Sequence, residues 1–238
     1  DTQNLGEGIA IPYFFDLGED KNFTFTNRLY YSENPLFMGA YHQAFKNASL
    51  MADFGYTDGY KKTSFTKKAG DKSHFFSKYT KNFKNENNSE NNLALSLQTI
   101  SNDKYLKLYR IESDLVDYNT DTLENSFNFS HEDDNLFLGF NTSIYETLRD
   151  DYTDKYEYIL PEITLNKNLL NNQNIGTLDM QSNLKIHNYD TNKLTNFLVN
   201  DFNWTSKNKT FDNGLNTKLL GNVKNINYEA KNVDIYKN

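Results

Sequence analysis

Short stretches in which apolar and polar residues alternate follow one another along almost the whole chain. The first lie at residues 11–15, 23–26, 35–38 and 49–54, and similar stretches recur up to the end. Successive side chains of a β-strand point to opposite faces, so this alternation predicts strands. About a dozen strands in series, with scarcely a helical pattern between them, predict one large antiparallel sheet that must curl, stack or close.

Most of the predicted strands are about as long as the roughly 9–11 residues that a tilted strand needs to cross a bilayer. They are predicted at residues 9–17, 21–31, 35–46, 48–57, 73–84, 93–101, 123–132, 135–147, 156–168, 175–188, 193–206 and 215–230. Residues 103–109 are compatible with a short helical turn or with a strand extension. Long and short connections do not sort onto alternate ends in this prediction, so the sheet cannot be oriented from them.

The strand at 135–147 shows the alternation most clearly. One face carries Leu136, Leu138, Phe140, Thr142 and Ile144, and the other carries Asn135, Gly139, Asn141 and Ser143. An amide has no hydrogen-bond partner in hydrocarbon, and an unsatisfied polar group there is costly. We therefore expect Leu136, Leu138, Phe140 and Ile144 on a lipid-facing side and the polar set on a wet side.

The composition supports a wall with one apolar and one wet face. Hydrophobic residues make up 37% and the mean hydropathy is −0.80, yet aromatic residues reach 15%. Transmembrane barrels combine a lipid-facing apolar band, aromatic girdles and a polar interior in this way. No run approaches the roughly 18 apolar residues that would predict a membrane-spanning helix. The fold class expected is all-β, an antiparallel up-and-down meander that forms part of a large transmembrane β-barrel.

Charge and cysteine content exclude several classes of function. The net charge of −7 argues against a nucleic-acid partner, because the basic footprint is missing. The chain has no Cys, which excludes disulfides and thiolate metal sites. It opens without a leader pattern and ends within an alternating stretch, so we expect an internal piece of a longer protein.

No pattern for catalysis or metal binding stands out. The histidines His42, His74, His131 and His187 fall on four separate predicted strands without metal-ligand spacing. The acidic pairs at 133–134 and 150–151 could serve glycoside hydrolysis or hold calcium. Both pairs lie at predicted turns, where Asp is favoured for local hydrogen bonding. We therefore predict that the chain is not an enzyme, has no catalytic or metal site and needs no cofactor.

Pro12 lies within an otherwise apolar and aromatic strand pattern. Proline removes one backbone donor from a β-ladder. This indicates either an edge strand, which tolerates proline, or a weakened strand pair that can part. The two interpretations overlap, because an edge position and a weak pairing have the same physical origin.

Several segments, in order, resemble one family. They are IPYFFDLG at 11–18, DKNFTFT at 20–26, ENPLF at 33–37, YHQAFKN at 41–47, HFFSK at 74–78, SNDKYL at 101–106 and LPEI at 160–163. The chain is similar over its whole length, most densely up to about residue 165, to the lipopolysaccharide-assembly family LptD, also called OstA or Imp. No single motif is diagnostic, and the resemblance rests on their order.

The resemblance implies an outer-membrane translocon of Gram-negative bacteria. In the family, a periplasmic jellyroll receives lipopolysaccharide from the periplasmic Lpt bridge, and a large barrel plugged by the lipoprotein LptE follows. Lipid leaves sideways between the first and last barrel strands, where two prolines weaken the seam. Pro12 matches the first proline, whereas Asn27 stands where the second would fall.

The resemblance further implies that residues 1–238 are a single domain, the N-terminal half of such a barrel. The chain would be truncated at both ends and form an open half-barrel, with the jellyroll and the closing strands missing. The implied partners are lipopolysaccharide, LptE, the Lpt bridge through the missing domain, and outer-membrane lipid. The seam residues would be Pro12 and Asn27.

Two other functions remain open from the sequence. A secreted or surface β-sandwich could bind glycans, with Trp204 and clustered tyrosines as stacking platforms. A general porin-like channel would conduct ions without transferring lipid.

Overall fold

The computed structural model describes residues 5–64, 69–85, 89–152, 154–190 and 192–233. The strands are β1 Gly8–Gly18, β2 Lys21–Tyr30, β3 Leu36–Phe45, β4 Ala48–Gly59, β5 Ala69–Lys84, β6 Glu90–Ile100, β7 Thr122–Glu132, β8 Leu136–Thr147, β9 Tyr156–Asn172, β10 Gly176–Tyr189, β11 Lys193–Thr205, β12 Lys209–Thr210, β13 Asn216–Thr217 and β14 Leu220–Lys231. One short helix, α1, spans Tyr105–Tyr109 in this described part of the chain.

The predicted antiparallel meander is confirmed. Twelve strands form one sheet in the order β1 to β11 followed by β14, so each strand pairs with its neighbour in sequence. β12 and β13 form a separate small hairpin in the connection that leads to β14. In the described residues, β1 and β14 each have a single neighbouring strand, so the sheet has two free edges. No described helix is long and apolar enough to span a membrane.

The strand boundaries follow the alternation closely, except near the C-terminus. There, the strand predicted at 215–230 corresponds to β14, which begins only at Leu220. The hairpin of β12 and β13 precedes β14, and β13 lies within the predicted range. Residues 103–109, for which a helical turn and a strand extension were both compatible with the sequence, contain a helix. Tyr105, Leu106 and Tyr109 recur at helical spacing and bury one side of α1.

The chain divides into two compact units. Unit 1 contains residues 1–81, 94–126 and 145–155, and unit 2 contains residues 82–93, 127–144 and 156–238. Unit 1 therefore holds β1 to β4, most of β5 and α1, whereas unit 2 holds β9 to β14.

The main buried core belongs to unit 1. It forms where α1 and the residues after it contact one face of the strands. The core residues are Leu5, Leu36, Tyr60, Phe76, Tyr105, Leu106, Tyr109, Ile111, Val116, Leu123 and Leu148. In unit 2 the buried apolar side chains among the described residues are Ile159 and Val233, and Ser143 and Thr195 are buried polar ones.

Over the whole chain the connections do not sort neatly, as predicted, but those of unit 1 do. Consecutive antiparallel strands place alternate connections at opposite ends. The tight turns 19–20 and 46–47 lie at one end, which we call the short-turn end. The connections 31–35, 60–68, 101–121 and 148–155 lie at the other, the long-connection end, where β1 begins. In unit 2 two connections are exceptions: 206–219 is long but follows an odd-numbered strand, and 190–192 is short but follows an even-numbered one.

Candidate functional site

One face of unit 1 is apolar, aromatic and exposed. The pairing register aligns Tyr13, Phe25, Gly39, Phe54 and Phe75 across five neighbouring strands. Tyr13 is 61% exposed, Phe54 45% and Phe75 43%. We call this surface the aromatic face. It comprises Ile9, Ile11, Tyr13, Phe15, Phe23, Phe25, Leu29, Phe37, Phe54, Tyr56 and Phe75.

The rings of the aromatic face contact one another across strands. Phe15 stacks on Phe23, with ring centroids 5.8 Å apart, and Phe23 on Phe54, with centroids 6.2 Å apart. A β-carbon at Gly39 would lie 2.4 Å from the Phe54 ring and 2.9 Å from the Phe23 ring. Gly39 therefore leaves the space in which these two rings meet.

The opposite face of unit 1, which we call the polar face, is covered, and it also carries the buried core residues Leu36 and Phe76. Asp53, Thr57 and His74 alternate with the exposed rings, and their exposures are 6%, 1% and 5%. A soluble protein is expected to bury its rings and expose such polar groups. Unit 1 instead exposes the rings of the aromatic face and covers these three polar groups, although it also buries the rings of Phe76, Tyr105 and Tyr109.

Residues 101–121, which we call the covering segment, lie over the polar face. Tyr105 and Tyr109 of α1 are fully buried, and the Tyr105 hydroxyl lies 3.1 Å from His74 Nδ1. Arg28 of β2 donates from Nη1 to the carbonyl oxygens of Tyr109 at 2.8 Å and Arg110 at 3.0 Å. Burial raises the pKa of Tyr109 to about 12 and also raises the pKa of Tyr105.

A cavity of about 650 Å³ lies between the sheet and the second half of the covering segment. Its walls are Ala40, Asp53 and residues 111–118. The Ser113 hydroxyl donates to Asp53 Oδ2, and Asp53 Oδ1 has no hydrogen-bond partner. In the described residues, no group of three or more acidic, His or Cys side chains is arranged to hold a metal ion.

The edge strand β1 carries the predicted seam residue Pro12. Tyr31 N–H donates to the Glu7 carbonyl at 3.0 Å, and the same register continues through Ile11 and Asn27. Hydrogen-bonded and non-hydrogen-bonded pairs alternate in an antiparallel ladder. The pair of Pro12 with Thr26 is therefore non-hydrogen-bonded, and the Pro12 nitrogen points away from β2 toward the free edge.

Asn27, the second predicted seam residue, has a different position in the ladder. Asn27 and Ile11 form a hydrogen-bonded pair in this register, so the Asn27 N–H is directed toward β1. Its side chain lies on the same face as Phe25, and its Oδ1 atom is buried without a hydrogen-bond partner. The structure thus places Pro12 and Asn27 at adjacent register positions. The Pro12 nitrogen points to the free edge of β1, whereas the Asn27 N–H points to the edge of β1 that pairs with β2.

The four histidines are not brought together. His74 contacts Tyr105 and stacks on Phe76, with centroids 4.8 Å apart. His42 Nε2 lies 3.9 Å from Asp114 Oδ2. In unit 2, His131 Nδ1 lies 2.9 Å from Asn91 Oδ1, and His187 Nε2 lies 2.6 Å from Glu157 Oε1. The polar groups nearest to the four histidines are therefore all different, and His42 Nε2 is buried without a hydrogen-bond partner.

The acidic pairs have local structural roles. Asp133 Oδ1 accepts the N–H groups of Asn135 and Leu136, both at 2.8 Å, and so closes the turn before β8. These backbone hydrogen bonds, led by that from Asn135, lower the pKa of Asp133. Asp150 Oδ2 lies 2.7 Å from Lys104 Nζ, and Asp151 Oδ2 accepts from Arg149 at 2.9 Å.

Burial does not test the face assignment predicted for β8, because apart from Ser143 the residues of both faces are half-buried. Ser143 is only 1% exposed, whereas Leu138 and Phe140 of the other face are half-buried. A β-carbon at Gly139 would lie 3.8 Å from Thr164 Cβ, so the polar face of β8 continues with Thr164 on β9. Phe137, which the prediction did not assign, shares the Gly139 side.

Trp204 is not part of a tyrosine cluster in the described residues. It pairs in register with Leu178 and Gly221 of the neighbouring strands. The described ring pairs of unit 2 are Phe197 with Tyr228, His187 with Tyr189, Phe127 with Phe140 and Tyr156 with Tyr158, and none of them includes Trp204. The structure therefore does not assemble the stacking platform that a glycan-binding sandwich would use.

Sequence reasoning missed the covering segment. Residues 101–121 were predicted as a long connection with a short helical turn or a strand extension at 103–109, but not as a cover. Their contact with Arg28, Asp53 and His74 joins residues far apart in the chain. The one signal in the sequence was the helical spacing of Tyr105, Leu106 and Tyr109. No protein-family model matches the chain, and no curated protein is detectably similar to it.

Proposed function

We propose that this chain forms part of the wall of an outer-membrane β-barrel that delivers lipopolysaccharide through a lateral seam beside β1. The observation that carries the proposal is the distribution of side chains in unit 1. Rings from four strands, β1, β3, β4 and β5, are exposed, while Asp53, Thr57 and His74 on the opposite face are covered. The passage of lipid is non-covalent, so no catalytic group is required.

This distribution of side chains is explained better if the aromatic face contacts lipid than if it contacts water. Monomeric soluble proteins rarely expose a contiguous apolar patch larger than a few hundred Å². In a bilayer the aromatic face would contact hydrocarbon, and the backbone would be satisfied by the ladder between strands. The polar face would line a wet interior, where Thr, Asp and His side chains can be hydrated.

The position of Pro12 supports the seam. Its nitrogen points to the free edge of β1, where a closing strand would pair, so that pairing would lack one donor. Each backbone hydrogen bond contributes about 0.5–1.5 kcal/mol net to stability. By the resemblance, the partners of this wall are lipopolysaccharide, the lipoprotein LptE, the periplasmic Lpt bridge and membrane lipid.

A porin-like channel is the second candidate, and the connections of unit 1 favour it. Ordinary outer-membrane barrels have short periplasmic turns and long extracellular loops, which would place the short-turn end in the periplasm. A translocon requires the opposite orientation. A first strand that follows a periplasmic domain begins in the periplasm, and β1 begins at the long-connection end.

Single-cysteine labelling of intact cells distinguishes the two candidates, because the chain has no native Cys. Lys46→Cys probes the short-turn end and Arg149→Cys the long-connection end. The translocon predicts that a membrane-impermeant maleimide labels residue 46 on intact cells, and residue 149 only after the outer membrane is permeabilised. Labelling of residue 149 alone on intact cells would support the porin-like channel and contradict the translocon.

Substitutions at the seam test lipid delivery directly. In the intact protein, we expect Pro12→Ala to slow the appearance of lipopolysaccharide at the cell surface while barrel assembly is unchanged. Asn27→Pro should loosen the seam, because it removes a donor directed toward β1. Pro35→Ala, in the connection between β2 and β3, is the matched control. If a crosslink between the first and last barrel strands left lipopolysaccharide export unchanged, the lateral exit would lie elsewhere.

A further inference from the structure

We propose that the covering segment, residues 101–121, is a built-in gate over the polar face of unit 1 and that Arg28 is its latch. This inference rests on the proposed function, since a gate needs a wet interior to close. It assigns a role to a segment that is neither a strand of the wall nor part of the seam.

The latch is a two-carbonyl contact at the end of α1. Arg28 Nη1 donates to the carbonyl oxygens of Tyr109 and Arg110 at 2.8 and 3.0 Å, and Arg28 Nη2 lies 3.8 Å from Glu112 Oε2. The last carbonyl groups of a helix have no partner within the helix, and a cation near them is favourable. The Arg28 side chain is 16% exposed, so solvent competes weakly for these contacts.

The two ends of the covering segment are fixed independently of Arg28. Ser101 N–H donates to the Ser73 carbonyl at 2.9 Å, and Leu148 N–H donates to the Asp121 carbonyl at 2.8 Å. Lys155 Nζ lies 3.0 Å from Asp103 Oδ1. Release of the latch would therefore move the middle of the segment while its ends stay attached.

The second half of the segment is the part that the proposed gate would move. Residues 111–118 line the cavity of about 650 Å³, and opening would break the hydrogen bond from the Ser113 hydroxyl to Asp53 on the sheet. Arg110, which joins this half to α1, has a φ of 45°, a left-handed conformation that is unfavourable for a residue other than Gly. Movement of residues 111–118 would relax Arg110 and open the polar face.

The latch also lies next to the proposed seam. Arg28 pairs in register with Ala10 of β1, two residues from Pro12. A displacement of β1 and a release of the covering segment would therefore act on the same strand, β2. We infer that the gate opens together with the seam.

Cysteine reactivity in the full-length protein tests the latch. Ile111→Cys places a thiol at a position that is 1% exposed, immediately after Arg110. In purified protein we expect slow reaction with a maleimide, and at least a tenfold faster reaction when Arg28→Ala is added. Arg28→Lys keeps the charge and the N–H donors but not the length and planar geometry of the guanidinium, and should give an intermediate rate.

Two controls separate latch release from general unfolding. Lys104→Cys, whose native side chain is 71% exposed, should react at the same rate with and without Arg28→Ala. Arg149→Ala, which removes an exposed Arg paired with Asp151, should leave the thiol at 111 protected. If Arg28→Ala also leaves it protected, Arg28 is not the latch.

The gate itself is tested by permeability. Cells that carry Arg28→Ala should take up a large hydrophilic dye faster than cells with Arg149→Ala. Faster labelling at 111 with unchanged dye uptake would overturn the gate. Membrane fractionation of the same cells tests the proposed function separately, because a chain absent from the outer membrane contradicts that function whatever the labelling at 111 shows.

Discussion

Units 1 and 2 use the same strand pairing but distribute their side chains differently. In unit 1 the aromatic face is exposed and the covering segment buries the polar face. Unit 2 instead carries polar contacts between strands on one face. Lys224 Nζ lies 3.1 Å from Asp201 Oδ2, Asn222 donates to Asn203 at 2.8 Å, and Asn168 donates to Asp179 at 2.7 Å.

The difference shows that pairing and face identity are specified separately. Backbone hydrogen bonds form the ladder in both units, but only the side chains decide which solvent each face meets. Unit 1 combines stacked rings, a buried core and a latch, so most of its specific contacts are desolvated. The contacts of unit 2 are largely exposed, and exposed polar pairs contribute little to stability.

The largest effect is expected for a charge in the aromatic face. Phe54→Arg places a cation near the middle of β4, where a lipid-facing Arg costs about 2–4 kcal/mol. We expect the protein to fail to assemble in the outer membrane, as measured by heat-modifiable migration in gels. Lys78→Arg, on the neighbouring strand β5, is the control and should assemble normally. Normal assembly of Phe54→Arg would contradict a lipid-facing aromatic face.

A smaller effect is expected in unit 2, on β8. Leu138→Arg should reduce assembly, at a cost near the lower end of the same range, about 2 kcal/mol. Asn141→Arg, three residues along the same strand, should be tolerated because the polar face is wet. Equal tolerance of the two substitutions would mean that the face assignment of β8 is wrong.

Alkaline pH should loosen unit 1 before unit 2. Burial raises the pKa of Tyr109 to about 12 from an ordinary value of 10. The raised pKa contributes stability that is complete below pH 10 and is lost as the pH rises through 12, because the ionised hydroxyl is disfavoured in the core. The described tyrosines of unit 2 are exposed or half-buried: Tyr156, Tyr158, Tyr189 and Tyr228.

Maleimide reaction of Ile111→Cys, compared with a thiol in unit 2 such as Ser143→Cys, measures this difference. Between pH 10 and 12 the reaction at residue 111 should accelerate more than the ionisation of the thiol explains, and the reaction at 143 should not. Parallel acceleration at both positions would show that the tyrosine core does not stabilise unit 1 selectively.

Much of the fold follows from the alternation alone. The period-two pattern predicted the meander and most strand boundaries because pairing between sequence neighbours needs no long-range information. The edge position of β1 was also predicted, from Pro12. The direction of the Pro12 nitrogen was not, since it depends on the register with β2.

The candidate gate could not be predicted from the sequence. Its anchors, Arg28, Asp53 and His74, lie on three different strands, and the segment that contacts them is 101–121. Such contacts arise from the order of strands in the sheet and leave no periodic signal. The helical spacing within residues 105–109 indicates a helix, but it does not indicate which face of the sheet the helix covers.

Spin labels along β4 test most directly the claim that the aromatic face meets lipid. Single cysteines at Ala52, Phe54 and Tyr56 sample the aromatic face, and those at Met51, Asp53 and Thr57 sample the polar face. In liposomes, a lipid-facing aromatic face predicts high oxygen and low nickel-chelate accessibility at 52, 54 and 56, with low oxygen accessibility at 51, 53 and 57. Low accessibility to both reagents at 52, 54 and 56 would indicate a packed protein interface and would contradict a lipid-facing wall.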